Sequence, residues 1–323
     1  MRFPRLARAA MAATLSVACG LAQAQLAGKP VRIVVPFAAG GVQDILARSL
    51  SAELGQALGA ASVIVENRPG AGGTIGTASV AKSAPDGTTM ILSAASHTIN
   101  ATLYAKLAYD PIRDFAAAAH IGSASYVLMI NAEVPAKTVA EFVKYAKAHP
   151  GKLNYATAGN GSATHLSMAY FTALAGIDMV HVPYKATGEA INEVLVGRSQ
   201  AVIAANIGAL AYVKDARVRL AGVTSAKRSR FLPDVPTVAE AGVPGYEFDS
   251  WFGLLAPAAT PRPVLEQVNA AMGKLLKDPA ILERLAKQGI EPQALSNEGF
   301  DKLLRADVEK MAKVVKASGA RVD

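Results

Sequence analysis

The chain has a single cysteine, Cys19, among its 323 residues, and only 6% of its residues are aromatic. A lone thiol excludes an internal disulfide and a cysteine-based metal centre. No apolar run reaches the roughly 18 residues that a transmembrane helix requires. No linker rich in glycine, proline or serine divides the chain. It is nonetheless 51% hydrophobic and 18% charged, so we expect it to fold around substantial buried cores.

The first 24 residues have the three parts of a secretory signal peptide. Three arginines lie in the first eight residues, an apolar stretch covers 9–22, and Ala-Gln-Ala at 22–24 precedes the expected cut. Cutting there removes Cys19 and the three arginines, which lowers the formal net charge from +8 to +5. The residue three before Cys19 is serine rather than the leucine usual at lipoprotein sites, so lipoprotein processing is not expected. We therefore expect a cysteine-free protein exported to the periplasm.

Several classes of function find no support in the sequence. The lysines alternate with aspartate and glutamate along helix-like segments, which is typical of solvated faces and predicts no nucleic-acid partner. Neither nucleotide-binding glycine motif is present, and Ser162 does not lie in a G-x-S-x-G elbow. The five histidines lack the spacing of metal ligands; they are His97, His120, His149, His165 and His181. We therefore expect no metal, no cofactor and no enzymatic activity.

Short apolar runs alternate with helix-like segments along the mature chain. This alternation predicts an α/β fold in which mostly parallel sheets are flanked by helices. Four side chains are expected to cap helices, namely Thr138, Thr260, Asp278 and Ser296. Strands are predicted at 31–37, 62–65, 89–92, 126–130, 153–156, 179–182, 201–205 and 219–223.

Two loops are the candidates for a ligand site. The first loop, 36–41 (PFAAGG), joins a predicted strand to a helix, and the second loop, 158–164 (AGNGSAT), has the same place later in the chain. Glycines at such positions let backbone N–H groups approach an anion at a helix N-terminus. The candidate ligand-binding residues are Phe37, Ala38, Gly40, Gly41 and Gln43 at the first loop, and Gly159, Gly161, Ser162, Thr164 and Asn206 in the second half of the chain.

Each loop also has a plainer interpretation. Both could be tight turns, with Ser162 acting only as an N-cap. The glycine-rich segment 66–76 is interpreted as a structural turn in preference to a ligand contact, and the aromatic step at 251–253 as packing. Two glycine loops in separate halves of the chain nevertheless strengthen each other, because a protein that binds a ligand in a cleft needs one contact surface from each side.

Eight ordered segments together resemble one family, the substrate-binding components of tripartite tricarboxylate transporters, often called Bug proteins. The resemblance covers essentially the whole mature chain. The segments are 34–41 (VVPFAAGG), 65–73 (VENRPGAGG), 84–87 (APDG), 109–111 (YDP), 153–156 (LNYA), 181–185 (HVPYK), 232–237 (LPDVPT) and 251–257 (WFGLLAP).

The resemblance implies a two-lobed periplasmic-binding-protein fold of type II. The first lobe would comprise 25–125 and 226–323, and the second 126–225. The ligand would be a small carboxylate, held by backbone N–H groups, hydroxyls and waters and buried as the lobes close. The partners would be the membrane subunits of a transporter, with the receptor itself a monomer.

Two departures from the family pattern bear on the ligand. Gln43 stands where the family usually has threonine, which places a longer amide at the cleft. An aspartate common in the family at 201–207 is replaced by Ala204 or Ala205. Since that aspartate can face an amino group, its absence disfavours an amino-acid ligand. Two alternatives stay open: an orphan receptor for signalling or for a non-carboxylate ligand, and an exported hydrolase.

Overall fold

The computed structural model describes residues 26–319 and contains one large mixed β-sheet flanked by helices. The predicted α/β class is confirmed. The strands are β1 (Pro30–Val35), β2 (Ser62–Asn67), β3 (Thr89–Ala94), β4 (Phe115–Asn131), β5 (Asn154–Thr157), β6 (Val180–Pro183), β7 (Ala201–Ala205), β8 (Val218–Val223), β9 (Asp249–Pro257) and β10 (Glu291–Pro292).

Helices cover the faces of the sheet. A 3₁₀ turn, Ala71–Gly73, precedes the second of them. The helices are α1 (Val42–Leu58), α2 (Thr74–Ala81), α3 (Ser96–Leu103), α4 (Val139–Ala148), α5 (Ala163–Ala175), α6 (Thr187–Leu195), α7 (Asn206–Leu210), α8 (Arg262–Leu275), α9 (Pro279–Lys287) and α10 (Asn297–Ser318).

The long strand β4 joins the two halves of the sheet. The strand order is β2-β1-β3-β9-β4-β7-β5-β6, and β8 and β10 also pair with β4. The part of β4 at 115–125 pairs with β9 and β10, whereas 126–131 pairs with β7 and β8. The outer strands β1–β3 and β5–β7 are parallel, as the sequence predicts, but the central pairings are antiparallel, so the sheet as a whole is mixed.

Each half of the sheet is buried on both faces. In the first half, α1, α8 and α9 bury one face and α2 and the start of α10 bury the other. In the second half, α4 and α5 bury one face and α6 and α7 the other. Burial on both faces explains why these strands read as continuous apolar runs rather than as alternating patterns.

The last helix, α10, connects the two halves. Its Asp307 carboxylate accepts hydrogen bonds from Thr98 Oγ1 (2.5 Å) and Trp251 Nε1 (2.8 Å) in the first half. Farther along, Met311 and Val315 pack into the core of the second half, as do Val238, Val243, Tyr246 and Phe248. The lobe boundaries 25–125, 126–225 and 226–323 remain a proposal.

Three of the four predicted caps are confirmed. Thr138, Asp278 and Ser296 each accept a hydrogen bond from a backbone N–H in the first turn of α4, α9 and α10. The prediction for Thr260 is wrong. Helix α8 begins one residue later than expected, with Pro261 at its N-cap, and the buried Thr260 hydroxyl has no hydrogen-bond partner within 26–319.

The predicted signal peptide at 1–24, with Cys19, lies outside the described residues. Of the helices within 26–319, none combines the length and the apolar character that a membrane span requires.

Candidate functional site

The first loop leads from the end of β1 into the start of α1. Gly41 is the N-cap of α1, with an extended backbone (φ −74°, ψ 165°) and no side-chain cap. The first N–H groups of a helix have no intrahelical acceptor, so those of Val42 and Gln43 are free to bind a ligand oxygen. The helix dipole adds partial positive charge at the same place.

A set of hydrogen bonds around Asp44 fixes the shape of the first loop. The Asp44 carboxylate accepts from Gly40 N (2.9 Å), Arg48 Nε (2.9 Å) and Asn67 Nδ2 (3.0 Å). Asn67 Nδ2 also donates to Phe37 O (3.0 Å). Burial raises the pKa of Asp44, but the hydrogen bonds from Arg48, Gly40 and Asn67 outweigh it and hold the pKa below its usual value. The N–H of Gly40 is therefore engaged within the loop, and its predicted ligand role would rest on its left-handed backbone (φ 82°).

Gln43 lies in the first turn of α1 and is only 8% exposed. Its Nε2 atom is buried and has no hydrogen-bond partner among the described residues. A buried donor without an acceptor costs free energy, so nearly all such groups in folded proteins are paired. An acceptor supplied by a ligand would satisfy this amide.

The second loop leads from β5 into α5 and holds itself together. The Ser162 hydroxyl caps α5 by accepting from His165 N (3.2 Å), and it donates to Gly159 O (2.7 Å). Thr164 Oγ1 accepts from Ala158 N (2.8 Å). Both hydroxyls are buried. The capping role of Ser162, left open by the sequence, is thus present, while a ligand contact by Ser162 or Thr164 stays a prediction.

Tyr104 and Leu103, at the end of α3, bring the glycine loops together. A Cβ built on Gly161 would lie 3.1 Å from Leu103 Cδ2 and 3.6 Å from Tyr104 Oη, whereas one on Gly72 would lie 2.9 Å from Tyr104 Oη. The second loop and the 70–73 turn therefore both approach the same tyrosine hydroxyl. Neither Leu103 nor Tyr104 was predicted from the sequence.

The first loop meets the same turn through Phe37. A Cβ on Gly73 would lie 3.4 Å from the half-buried ring of Phe37. Ala38 and Gly40 are exposed beside it. The structure thus places the first loop, the 70–73 turn and the second loop around one region that Tyr104 borders.

Asn206 begins α7 directly after β7, where β4 passes between the halves of the sheet. It is 1% exposed, and its Nδ2 donates to Ser125 Oγ (2.8 Å) on β4. A Cβ on Gly289 would lie 2.7 Å from Asn206 Cβ. Its Oδ1 has no partner within 26–319. A ligand contact by Asn206 remains a prediction, and its hydrogen bonds place it at the junction of the halves.

The groups that the two loops offer to a ligand are uncharged hydrogen-bond donors. Neither loop contains lysine or arginine. His165 accepts from Gly161 N through Nδ1 (3.3 Å) and contacts Ser162 only through its own backbone N–H, so the two side chains do not form a nucleophile–base pair. Within 26–319, no group of three or more His, Cys, Asp or Glu residues is arranged to hold a metal ion.

The sequence of this chain matches those of a known protein family. The model of the tripartite tricarboxylate transporter family receptor matches residues 45–320. Protein BugT of Bordetella pertussis is 31% identical over 316 residues, which are 96% of this chain and 95% of BugT. A UPF0065 protein of Pseudomonas sp. strain P51 is 34% identical over 288 residues, which are 89% of this chain and 85% of that protein.

Solved structures agree in fold. Rpa4515 of R. palustris with adipate has a TM-score of 0.85 at 33% identity and covers 91% of this chain and 99% of its own. MatC (Rpa3494) from Rhodopseudomonas palustris with bound malate has a TM-score of 0.81 at 32% identity, covering 89% and 99%. The periplasmic binding protein BugD has a TM-score of 0.82 at 32% identity, covering 91% and 98%. The chain has the fold of these solute-binding proteins, and it belongs to the tripartite tricarboxylate transporter receptor family.

Proposed function

We propose that this protein binds a small carboxylate between the first and second loops and delivers it to the membrane subunits of a tripartite transporter. The observation that carries the proposal is that both helix-initiating glycine loops lie around the 70–73 turn: Phe37 of the first loop contacts Gly73, and Gly161 of the second loop faces Tyr104, which also contacts Gly72. The unpaired Gln43 amide and the free first-turn N–H groups of α1 supply donors for carboxylate oxygens. Adipate and malate in the solved relatives support this ligand class.

Neutral donors suit a receptor that must release its ligand. A carboxylate bound by N–H and hydroxyl groups keeps charge-assisted hydrogen bonds without a fixed ion pair. The absence of lysine and arginine from both loops is consistent with such binding.

We further propose that the protein works in the periplasm after cleavage behind residue 24. N-terminal sequencing of the exported protein tests this, since a first residue other than Gln25 would contradict the predicted cut.

A thermal-shift screen tests the proposed ligand class. The purified protein is heated with mono-, di- and tricarboxylates, amino acids and aromatic acids, and with the amides of the same acids. A ligand at a hundred times its Kd stabilises the folded state by about 2.7 kcal/mol. We expect at least one acid to raise the Tm while its amide does not. If no compound in the panel raises the Tm of a folded sample, the proposal is contradicted.

Ser162→Ala separates the capping role from a role in binding. We expect the binding free energy to weaken by about 1.5–3 kcal/mol, the usual loss for a hydrogen bond to a charged group. Loss of the cap should also lower the free energy of unfolding by about 1 kcal/mol. Ser296→Ala is the matched control, because Ser296 caps α10 by accepting from Gly299 N. Calorimetric titration and urea unfolding of both variants give the two quantities. If both variants bind as tightly as the original protein, Ser162 is a cap and nothing more.

A further inference from the structure

Two histidines stack directly behind the second loop. His165, in the first turn of α5, and His181, on β6, have ring centroids 4.2 Å apart with planes 15° from parallel. Tyr155 on β5 stacks on the ring of His181, at 5.1 Å and 16°. The three rings therefore form a column that joins α5 to two neighbouring strands.

Each histidine is connected to one glycine of the loop. The Gly161 N–H donates to His165 Nδ1 (3.3 Å). His181 Nε2 lies 2.6 Å from Thr157 Oγ1, which in turn accepts from the Gly159 N–H (3.2 Å). His165 thus acts on Gly161 directly, and His181 acts on Gly159 through one hydroxyl.

The contact between Gly161 and His165 requires an uncharged His165 ring. His165 Nδ1 can accept a hydrogen bond from Gly161 N–H only while Nδ1 itself carries no hydrogen. The ring hydrogen of neutral His165 therefore lies on Nε2. Burial lowers the pKa of His165, and burial together with the neighbouring His165 lowers the pKa of His181 to about 4. Both rings are therefore neutral at pH 7, and both loop contacts are intact.

The loop needs such support because its two glycines can adopt many backbone conformations. Gly159 and Gly161 have φ values of 102° and 76°, in the region that glycine occupies readily but does not prefer. A flexible glycine loop loses conformational freedom when it binds a ligand, and fixing it beforehand reduces that loss.

We propose that His165 and His181 are positioning residues that fix Gly159 and Gly161 in the ligand-binding conformation without touching the ligand. The proposal rests on the proposed function in so far as the second loop contacts the ligand. It deepens that function by assigning the loop geometry to two side chains that lie next to the loop.

Replacing each histidine by Asn and by Gln distinguishes the roles of its two ring nitrogens, because the Asn amide reaches the position of Nδ1 and the Gln amide that of Nε2. In His165→Asn, the side-chain amide can place an acceptor where Nδ1 stood, whereas in His165→Gln the amide reaches the position of Nε2. For His181 the preserving change is His181→Gln, which reaches Thr157, and the disrupting change is His181→Asn. All four variants lose the ring stacking. Each disrupting variant is therefore compared with the preserving variant at the same position, which also lacks the ring but keeps the loop contact.

The first readout is amide hydrogen exchange of Gly159 and Gly161, measured by NMR without any ligand. We expect exchange at Gly161 to be about tenfold faster in His165→Gln than in His165→Asn, and exchange at Gly159 about tenfold faster in His181→Asn than in His181→Gln. The N–H of Leu128, fully buried in β4 between β7 and β8, is the internal reference for global opening. Equal exchange in the two members of either pair would overturn the proposal.

The second readout is the Kd for adipate and for malate. We expect the same crossed pattern, with the disrupting variants about tenfold weaker than their preserving counterparts. Equal affinities within each pair would contradict the positioning role. If neither acid nor any member of the carboxylate panel binds the original protein, the proposed function fails, while the exchange result still decides whether the histidines hold the loop.

Discussion

Gly161→Leu should abolish ligand binding while the protein remains folded. The Gly161 backbone faces the end of α3, where a Cβ would already lie 3.1 Å from Leu103 Cδ2 and 3.6 Å from Tyr104 Oη. The three further carbons of leucine would occupy the space between the second loop and α3 or force the two apart. We expect the affinity to fall by at least about 100-fold, which corresponds to about 2.7 kcal/mol.

Gly176→Leu is the matched control for this variant. Gly176 ends the same helix, α5, with a similar left-handed backbone (φ 61°, against 76° at Gly161), but no atom lies within 4 Å of a Cβ built there. Both variants therefore carry the backbone strain of about 1–2 kcal/mol, which urea unfolding measures. Only Gly161→Leu should lose binding in a calorimetric titration. Equal affinities in the two variants would remove Gly161 from the site.

Gly41→Val is the corresponding test of the first loop. The Gly41 backbone is extended, which valine adopts without strain, and a Cβ there would lie 3.3 Å from Ala38 O. The fold should therefore survive, with a Tm within a few degrees of the original. The branched side chain would stand at the N-terminus of α1, in the place we assign to the ligand oxygens. We expect the affinity to fall by at least about 100-fold.

Gly273→Val, in α8, is the control for the first loop. Gly273 has open space around a built Cβ, and it lies in a helix that does not contribute to either loop. It should bind ligand as the original protein does. Tight binding by Gly41→Val in the same titration would exclude the first loop from the site.

The sequence predicted most elements because their signals are local. Apolar runs buried on both faces, capping side chains and glycines at the ends of helices depend on neighbours only a few residues away. The beginning of β4 was missed because residues 116–119 are all alanine, which has little strand preference. Their strand conformation comes from pairing with β9, more than 130 residues later in the chain.

For the candidate site, too, only the features that depend on residues close in sequence could be predicted. The two glycine loops were located from turn chemistry, and the structure brings them to one region of the molecule. Tyr104 and Leu103 could not be found in this way, because their approach to Gly161 depends on how the two halves pack. Similarly, only the structure shows that Asp44 engages Gly40, and it confirms the N-cap role of Ser162 that the sequence had left open.

The most direct test of the account is a calorimetric titration of the purified protein with the acid that gives the largest thermal shift, and with its amide. The amide has nearly the same size and shape but no negative charge. If helix N-terminal N–H groups and Gln43 hold a carboxylate, the acid should bind at least about 100-fold more tightly than the amide, since hydrogen bonds to a charged group contribute about 1.5–3 kcal/mol each. Equal binding of the acid and its amide would contradict carboxylate recognition at this site.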